Sequence, residues 1–386
     1  MISKLENYRH NLSLINITID EVLLLNLYQN LPIDVQIRAK VILLPIAAKE
    51  GVVYGMDNIT GDLVPFSFSR SSSATLFDKD KDMELVGNNI PRIDYGNYTD
   101  DVKLLVEKES TNLLVDSALA TNTQSVYHAS ASLIDINWFD YIKTGRSIPH
   151  LTETTYAAKR AAITELQNYA ISSFVNMDDN SLPNFHVSES NKNGALLIDS
   201  RGVTTGPQSL HIKNNIYRVY ASAQATRSAT GTHGIWKYSS NYGGAINASG
   251  YQLEQSDTAT SYIPTTTTTA TRAADKLTYT LPVSSGIYLK TTKQNTLLNK
   301  PKGVWNIHDD LNNEGIEALA IFYEDIIIGF DEETAVEEFI IPIRDKNQVV
   351  KARYALKDTD IEKNALMSEH YIEISFALDI FFKFVR

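Results

Sequence analysis

Residues 66–82, FSFSRSSSATLFDKDKD, decide how the chain is read. Phe66 and Phe68 alternate with Ser67 and Ser69, the period of a half-buried strand. Arg70 and three serines follow, then a second apolar run and alternating Asp and Lys. A serine cluster suggests a nucleophile, and alternating acids suggest a metal. A hydrolase nucleophile needs a sharp turn of the G-x-S-x-G kind, and Ser71–Ser73 have no glycine beside them. Asp78, Asp80 and Asp82 open like a calcium loop. That pattern then requires Gly where Met83 stands and Glu where Asn89 stands. The stretch reads as strand, polar turn, strand and a solvated hairpin tip.

The same texture extends outward in both directions. Hydrophobic residues make up 43% and charged residues 21% of the 386, the balance of a folded chain. Twenty tyrosines and many short alternating runs point to β-structure. A net charge of -11 disfavours nonspecific nucleic-acid binding, which needs a basic surface. The absence of cysteine excludes disulfides and thiolate metal sites. The eight histidines, scattered from His10 to His370, make no metal-ligand spacing, so no cofactor or metal is expected. The first residues show no secretory signal, and Asn16, Asp20 and Glu21 interrupt the apolar stretch 12–31, which makes it a poor membrane span.

Three elements carry specific expectations. TIDEVLLLNLYQNLP (18–32) predicts a short helix, with Thr18 and Glu21 as a capping box and Pro32 as its stop. It is apolar all round, so it packs either on its own domain or on a partner chain. DVQIRAKVILLP (34–45) alternates as a strand with Val35, Ile37, Ala39 and Val41 on one face. ETTYAAKRAAITELQNY (153–169) predicts a helix over 156–166. Residues 120–275 otherwise form short strands without a βαβ rhythm, as in a sandwich or jelly roll. The closing run HYIEISFALDIFFKFVR (370–386) alternates at period two and predicts a long strand. In GIWKYSSNYGG (234–244), Trp236, Tyr238 and Tyr242 are candidates for stacking on sugar rings, or for ordinary packing.

Several pieces follow one another in a recognisable order: KVILLPIAAKEGVVYG, then GDLVPFSFSRSSSATLFDKDKDMELVGNNIPRIDYGN, LLVEKESTNLLVDS and GYQLEQSDTATSYIPTTTTTATRAAD. Over about 41–275 the chain resembles virion proteins of tailed phages, including fibre or appendage proteins of crAss-like phages. The resemblance implies a jelly-roll domain of carbohydrate-binding-module type and a homo-oligomer, a trimer. It implies a virion-surface role in a head or tail fibre, with possible glycan contact in host attachment. It supplies no catalytic residue, and no enzyme activity is expected; a polysaccharide depolymerase is the alternative. The expected organisation is a virion-anchoring segment over 1–45, which binds other virion proteins, a jelly roll over 46–275 and a separate β-rich domain over 276–386. Recurring positions include Arg70, Arg92, Asp94, Glu107 and Arg272. Here the arginines are expected to clamp strands together, with Glu107 and Asp94 as partners.

Overall fold

The computed structural model describes residues 2–96, 102–118, 125–149, 151, 154–180, 182–183, 186–190, 195–199, 208–237, 244–311, 313, 315–323, 329–330, 337–344 and 350–356. The chain is mainly β, as expected, and its strands build two bodies.

The first body is one large antiparallel sheet. Its main path runs Asn295–Lys300, Ser285–Thr291, Gly315–Phe322, Val41–Leu43, Val52–Asp57, Leu63–Ser69, Lys276–Leu281 and Gly303–Asn306. The two end strands are separated in sequence only by Pro301 and Lys302, which span at most about 11 Å. The sheet therefore curls until its edges approach each other, as in a barrel open along one seam. The Asp310 carboxylate ties the seam: it accepts from Lys300 Nζ and from Trp305 Nε1, both at 2.7 Å. Alternation sorts the side chains. Val41, Leu43, Val53, Phe66, Phe68, Leu277, Leu289, Trp305, Leu319 and Ile321 fill the inside. Ile42, Leu44, Met56, Tyr288, Ala318 and Ala320 face outward under three helices.

Those helices are α1 (Ile2–Leu14), α2 (Glu21–Gln29) and α3 (Ile33–Arg38). α2 exists as predicted and docks on its own body through Leu24 and Tyr28. Its N-cap is Asp20 rather than Thr18, with Asp20 Oδ1 accepting from Leu23 N at 3.0 Å. α1 was not foreseen, and α3 replaces the first part of the strand expected across 35–41. Pro32 supplies the non-helical N-cap, and Asp34 pairs with Arg38 one turn on at 2.9 Å. Ile37, placed inward by the alternating pattern, is 72% exposed. Asn58 joins this layer to the sheet. It donates to Gln36 O and Ala39 O and accepts from Lys4 Nζ and the Tyr28 hydroxyl. The neighbouring turn needs Gly61, whose φ is +79° and whose Cβ would lie 2.1 Å from Lys4 O.

The second body is a β-sandwich. One sheet has Ser125–Tyr127, Thr155–Ile163, Ala229–Lys237, Ala195–Asp199 and His186–Ser190 in spatial order. The other has Ser132–Phe139, Ile142–Ile148, Ile246–Glu254, Asn168–Met177, Ile216–Gln224 and Gln208–Lys213. Ala157, Ala161 and Ile235 of the first meet Ile171, Val175, Val219, Ala248 and Leu253 of the second. The helix expected over 156–166 is thus a strand. Alanine favours helices, but here odd-numbered residues enter the core, and tertiary burial overrides propensity.

The two bodies are joined by the opening stretch itself. Ala74–Phe77 pairs with Met83–Val86 as a hairpin. Its Phe77 ring meets Phe139 and Phe174 edge-on at 5.4 and 6.1 Å, on the outer side of the six-stranded sheet. The expected boundaries at 45/46 and 275/276 are both crossed by hydrogen bonds of the first sheet: Val41–Leu43 pairs with Leu319–Ile321, and Lys276–Thr278 with Ser67–Ser69. Residues 276–322 thus complete the body begun by the N-terminal segment, while the sandwich is inserted between them. Glu337–Arg344 pairs with Val350–Leu356 and with Gly329–Phe330 in a small antiparallel sheet. The strand predicted over 371–384 lies outside the described residues. No helix among them is long and apolar enough to cross a membrane.

Candidate functional site

The buried charged residues singled out in the sequence converge between the two bodies. Arg70 follows the strand Leu63–Ser69, Arg92 opens Arg92–Asp94, Glu107 follows Lys103–Leu105, and Arg272 closes Ala270–Arg272. Asp275, just beyond, is their centre. Its Oδ1 accepts from Arg70 Nη1 at 3.0 Å; its Oδ2 accepts from Arg92 Nη2 and from Glu107 N. Glu107 Oε2 accepts from Arg92 Nη2 at 2.7 Å and lies 3.1 Å from Arg272 Nη1. The Ser261 hydroxyl accepts from Arg92 Nη1 and donates to Glu107. All five charged side chains are buried.

Burial alone would raise the Glu107 carboxyl, but the Arg272 and Arg92 charges outweigh it and hold the group well below the usual carboxylate range. Burial opposes the charge on Arg92, and Glu107 and Asp275 more than restore it. Arg70 is lowered, by burial first and by the Arg92 charge. Arg92 and Glu107 are thereby held as fixed charges near neutrality.

Asp94, expected beside an arginine, does another job. Its Oδ1 accepts from Phe77 N at 2.7 Å and its Oδ2 from Gly96 N at 3.1 Å. It fixes the hairpin that carries Phe77. Asp275 was the missed partner. It stands 205 positions from Arg70, and no local pattern links them. Two neighbouring groups show the same use of polarity. Asn112 donates to Tyr251 O and Ile263 O and accepts from Leu114 N and Leu253 N. Glu254 accepts from Ser110 Oγ, Gln252 Nε2 and Thr260 N. Both are fully buried and satisfied.

The serines answer their question structurally. Ser72 O accepts from Arg70 Nε, and Ser72 Oγ accepts from Ala273 N. Asp78 Oδ1 accepts from Asp80 N and Asp82 N, so that carboxylate organises the hairpin tip. No cluster of metal-ligating side chains occurs among the described residues.

Trp236 faces out of the five-stranded sheet beside Tyr156, its partner in the ladder. The two rings stack at 4.6 Å and 18°, and His128 meets Tyr156 edge-on at 6.1 Å. Gly234 lies on the same face; a Cβ there would sit 2.5 Å from Ala157 O, so the strands approach closely beneath the rings. Tyr238 and Tyr242 lie outside the described residues. Tyr156 was missed because it was read at the start of a helix. A comparison with protein-family models finds no match, and no curated protein matches the chain in sequence.

Proposed function

We propose that the chain is a virion structural protein of a tailed bacteriophage, a fibre or a head or tail appendage on the virion surface, assembled as a homotrimer. One observation carries the reading. The residues on which the phage resemblance rests are scattered along the sequence, yet Arg70, Arg92, Glu107, Arg272 and Asp275 meet in one buried ion network. Charged residues spent on holding two β-bodies together, rather than lining an open site, are what a structural protein needs. Such a network suits a rigid appendage, because the charge-assisted bonds that converge on Asp275 and Glu107 tie separate strands into one arrangement.

Attachment to another virion protein falls to the helical layer. Leu14, Val22, Ile33 and Ile37 are 58–72% exposed there, a concentration of aliphatic side chains that water does not favour. Glycan contact falls to the stacked Tyr156–Trp236 pair, whose half-buried rings offer a flat apolar surface. A depolymerase requires two carboxylates converging on an open groove. Glu107 and Asp275 converge, but each is engaged by guanidinium groups and buried.

Gold-labelled antibody against the chain, applied to purified virions of the phage that encodes it, tests the proposal. Label at a fixed position on the particle is expected. Virions free of the chain by labelling and by mass spectrometry would overturn it.

A further inference from the structure

Lys159 points into the sandwich interior from the strand Thr155–Ile163 and is fully buried. Lysine is almost never fully buried unless paired. Its Nζ lies 3.0 Å from Asp116 Oδ2, with side-chain exposures of 1% and 8%. Among the described residues, the other ion pairs with both side chains under a tenth exposed all use arginine. The difference is chemical. A guanidinium keeps its proton, whereas a lysine amine that loses one is a nucleophile.

Burial favours that loss. In water, hydration of ammonium and carboxylate opposes their condensation. In the sandwich interior that hydration is gone, and a desolvated ion pair is costly, whereas a neutral amide carries no such penalty. Burial, with the Arg146 charge adding to it, pushes the Lys159 amine down despite the Asp116 partner. The chain also has no cysteine, so a disulfide cannot lock this body.

We propose that Lys159 and Asp116 condense to an intramolecular amide cross-link. A proton passes from Nζ to the Asp116 carboxylate. The freed nitrogen lone pair forms the Nζ–Cγ bond, and the Cγ–O bond breaks. One water leaves, built from the protonated carboxyl oxygen and a second proton from nitrogen; one N–H remains on the amide. His233 stands opposite Lys159 in the ladder and is fully buried. Its Nε2 donates to Ala161 O at 3.2 Å, and burial keeps the ring neutral at neutral pH. The bond would tie the strand Thr155–Ile163 to the segment by which the chain enters the sandwich, closing a loop between positions 43 apart. Such closure restrains the unfolded chain, as a disulfide does.

The intact mass of the full-length chain, denatured after incubation at neutral pH, reads the step directly. The expected mass is one water below the sequence mass, and digestion yields one branched peptide holding residues 116 and 159. Lys159→Arg keeps the charge but cannot be acylated, and is expected at its full sequence mass. A wild-type chain at its full sequence mass shows an ordinary ion pair and overturns the proposal. So does water loss that persists undiminished in Lys159→Arg.

Discussion

Replacing Asp275 by asparagine keeps the shape of the side chain but deletes a charge that Arg70 and Arg92 both face. The guanidinium groups would then be buried with too little compensation, a change that costs about 3–5 kcal/mol. Asp275→Asn should therefore lower the urea midpoint sharply, while Ser71→Ala, on an exposed residue, should leave it unchanged. Equal midpoints for the two variants would refute the role given to the cluster. His233 gives a pH signature. Burial pushes its imidazole from 6.5 down to about 4. The folded-state value is depressed, so between those limits the unfolded chain binds the proton and the folded chain does not. Stability is full above 6.5 and falls as the pH drops toward 4, by up to about 3 kcal/mol. His233→Gln should flatten the decline in melting temperature between pH 7 and pH 4; an unchanged decline would exclude His233 as its source. The arginines were legible as clamps because each sits beside apolar strand residues, and Glu107 was expected among their partners. Asp275 as their common partner was not, since the pairing is made across the fold and Asp94 was the nearer acid in the chain.

Strand Val41–Leu43 shows why element boundaries are harder to read than element texture. The alternation over 35–41 is genuine, but six residues with a proline start and an Asp34–Arg38 pair fit a short helix equally well. The tertiary neighbours decide: Val35 is buried under the helical layer, and the strand begins only where Val41 meets Ile321 and Asp57. The same holds for Thr155–Ile163, whose alanines carry no periodic contrast until the opposing sheet is present. Because Val41–Leu43 lies inside the main path of the first sheet, the N-terminal segment is no detachable anchor. A truncation beginning at Lys49 removes three helices and a central strand together. It should be insoluble or lack the native near-ultraviolet dichroism. A soluble truncation with native dichroism would show that the remaining strands close without it. Within the layer, Asn58→Ala leaves Gln36 O, Ala39 O and Tyr28 without a shared partner. A loss of about 2 kcal/mol in chemical denaturation is expected, since buried groups left unpaired cost about 1–3 kcal/mol.

The mainly β character was readable from alternation, but the division into a barrel-like body and an inserted sandwich was not. The leucine-rich start and the end of the Ser-, Thr- and Tyr-rich stretch near 275 look like domain boundaries. Yet the barrel-like body is built from both flanks of that insertion, and strands that pair across more than 200 positions leave no local trace. The interlock has a thermodynamic consequence. Arg70 and Arg92 belong to the first sheet's side, while Glu107, Ser261 and Asp275 lie on the segments leading into and out of the sandwich. Phe77 reaches from the hairpin into the aromatic cluster on the sandwich. Either body unfolding alone would expose these buried charges and rings, so the two should melt together. Calorimetry on residues 1–386 should show the barrel-like body and the sandwich in one transition. Asp275→Asn should split it into two, with the sandwich ladder of Asn168–Met177 and Ile246–Glu254 forming one of the separated units. Two resolved transitions in the parent chain, assigned by hydrogen exchange to the two bodies, would show that the ion network joins them in space without coupling their stability.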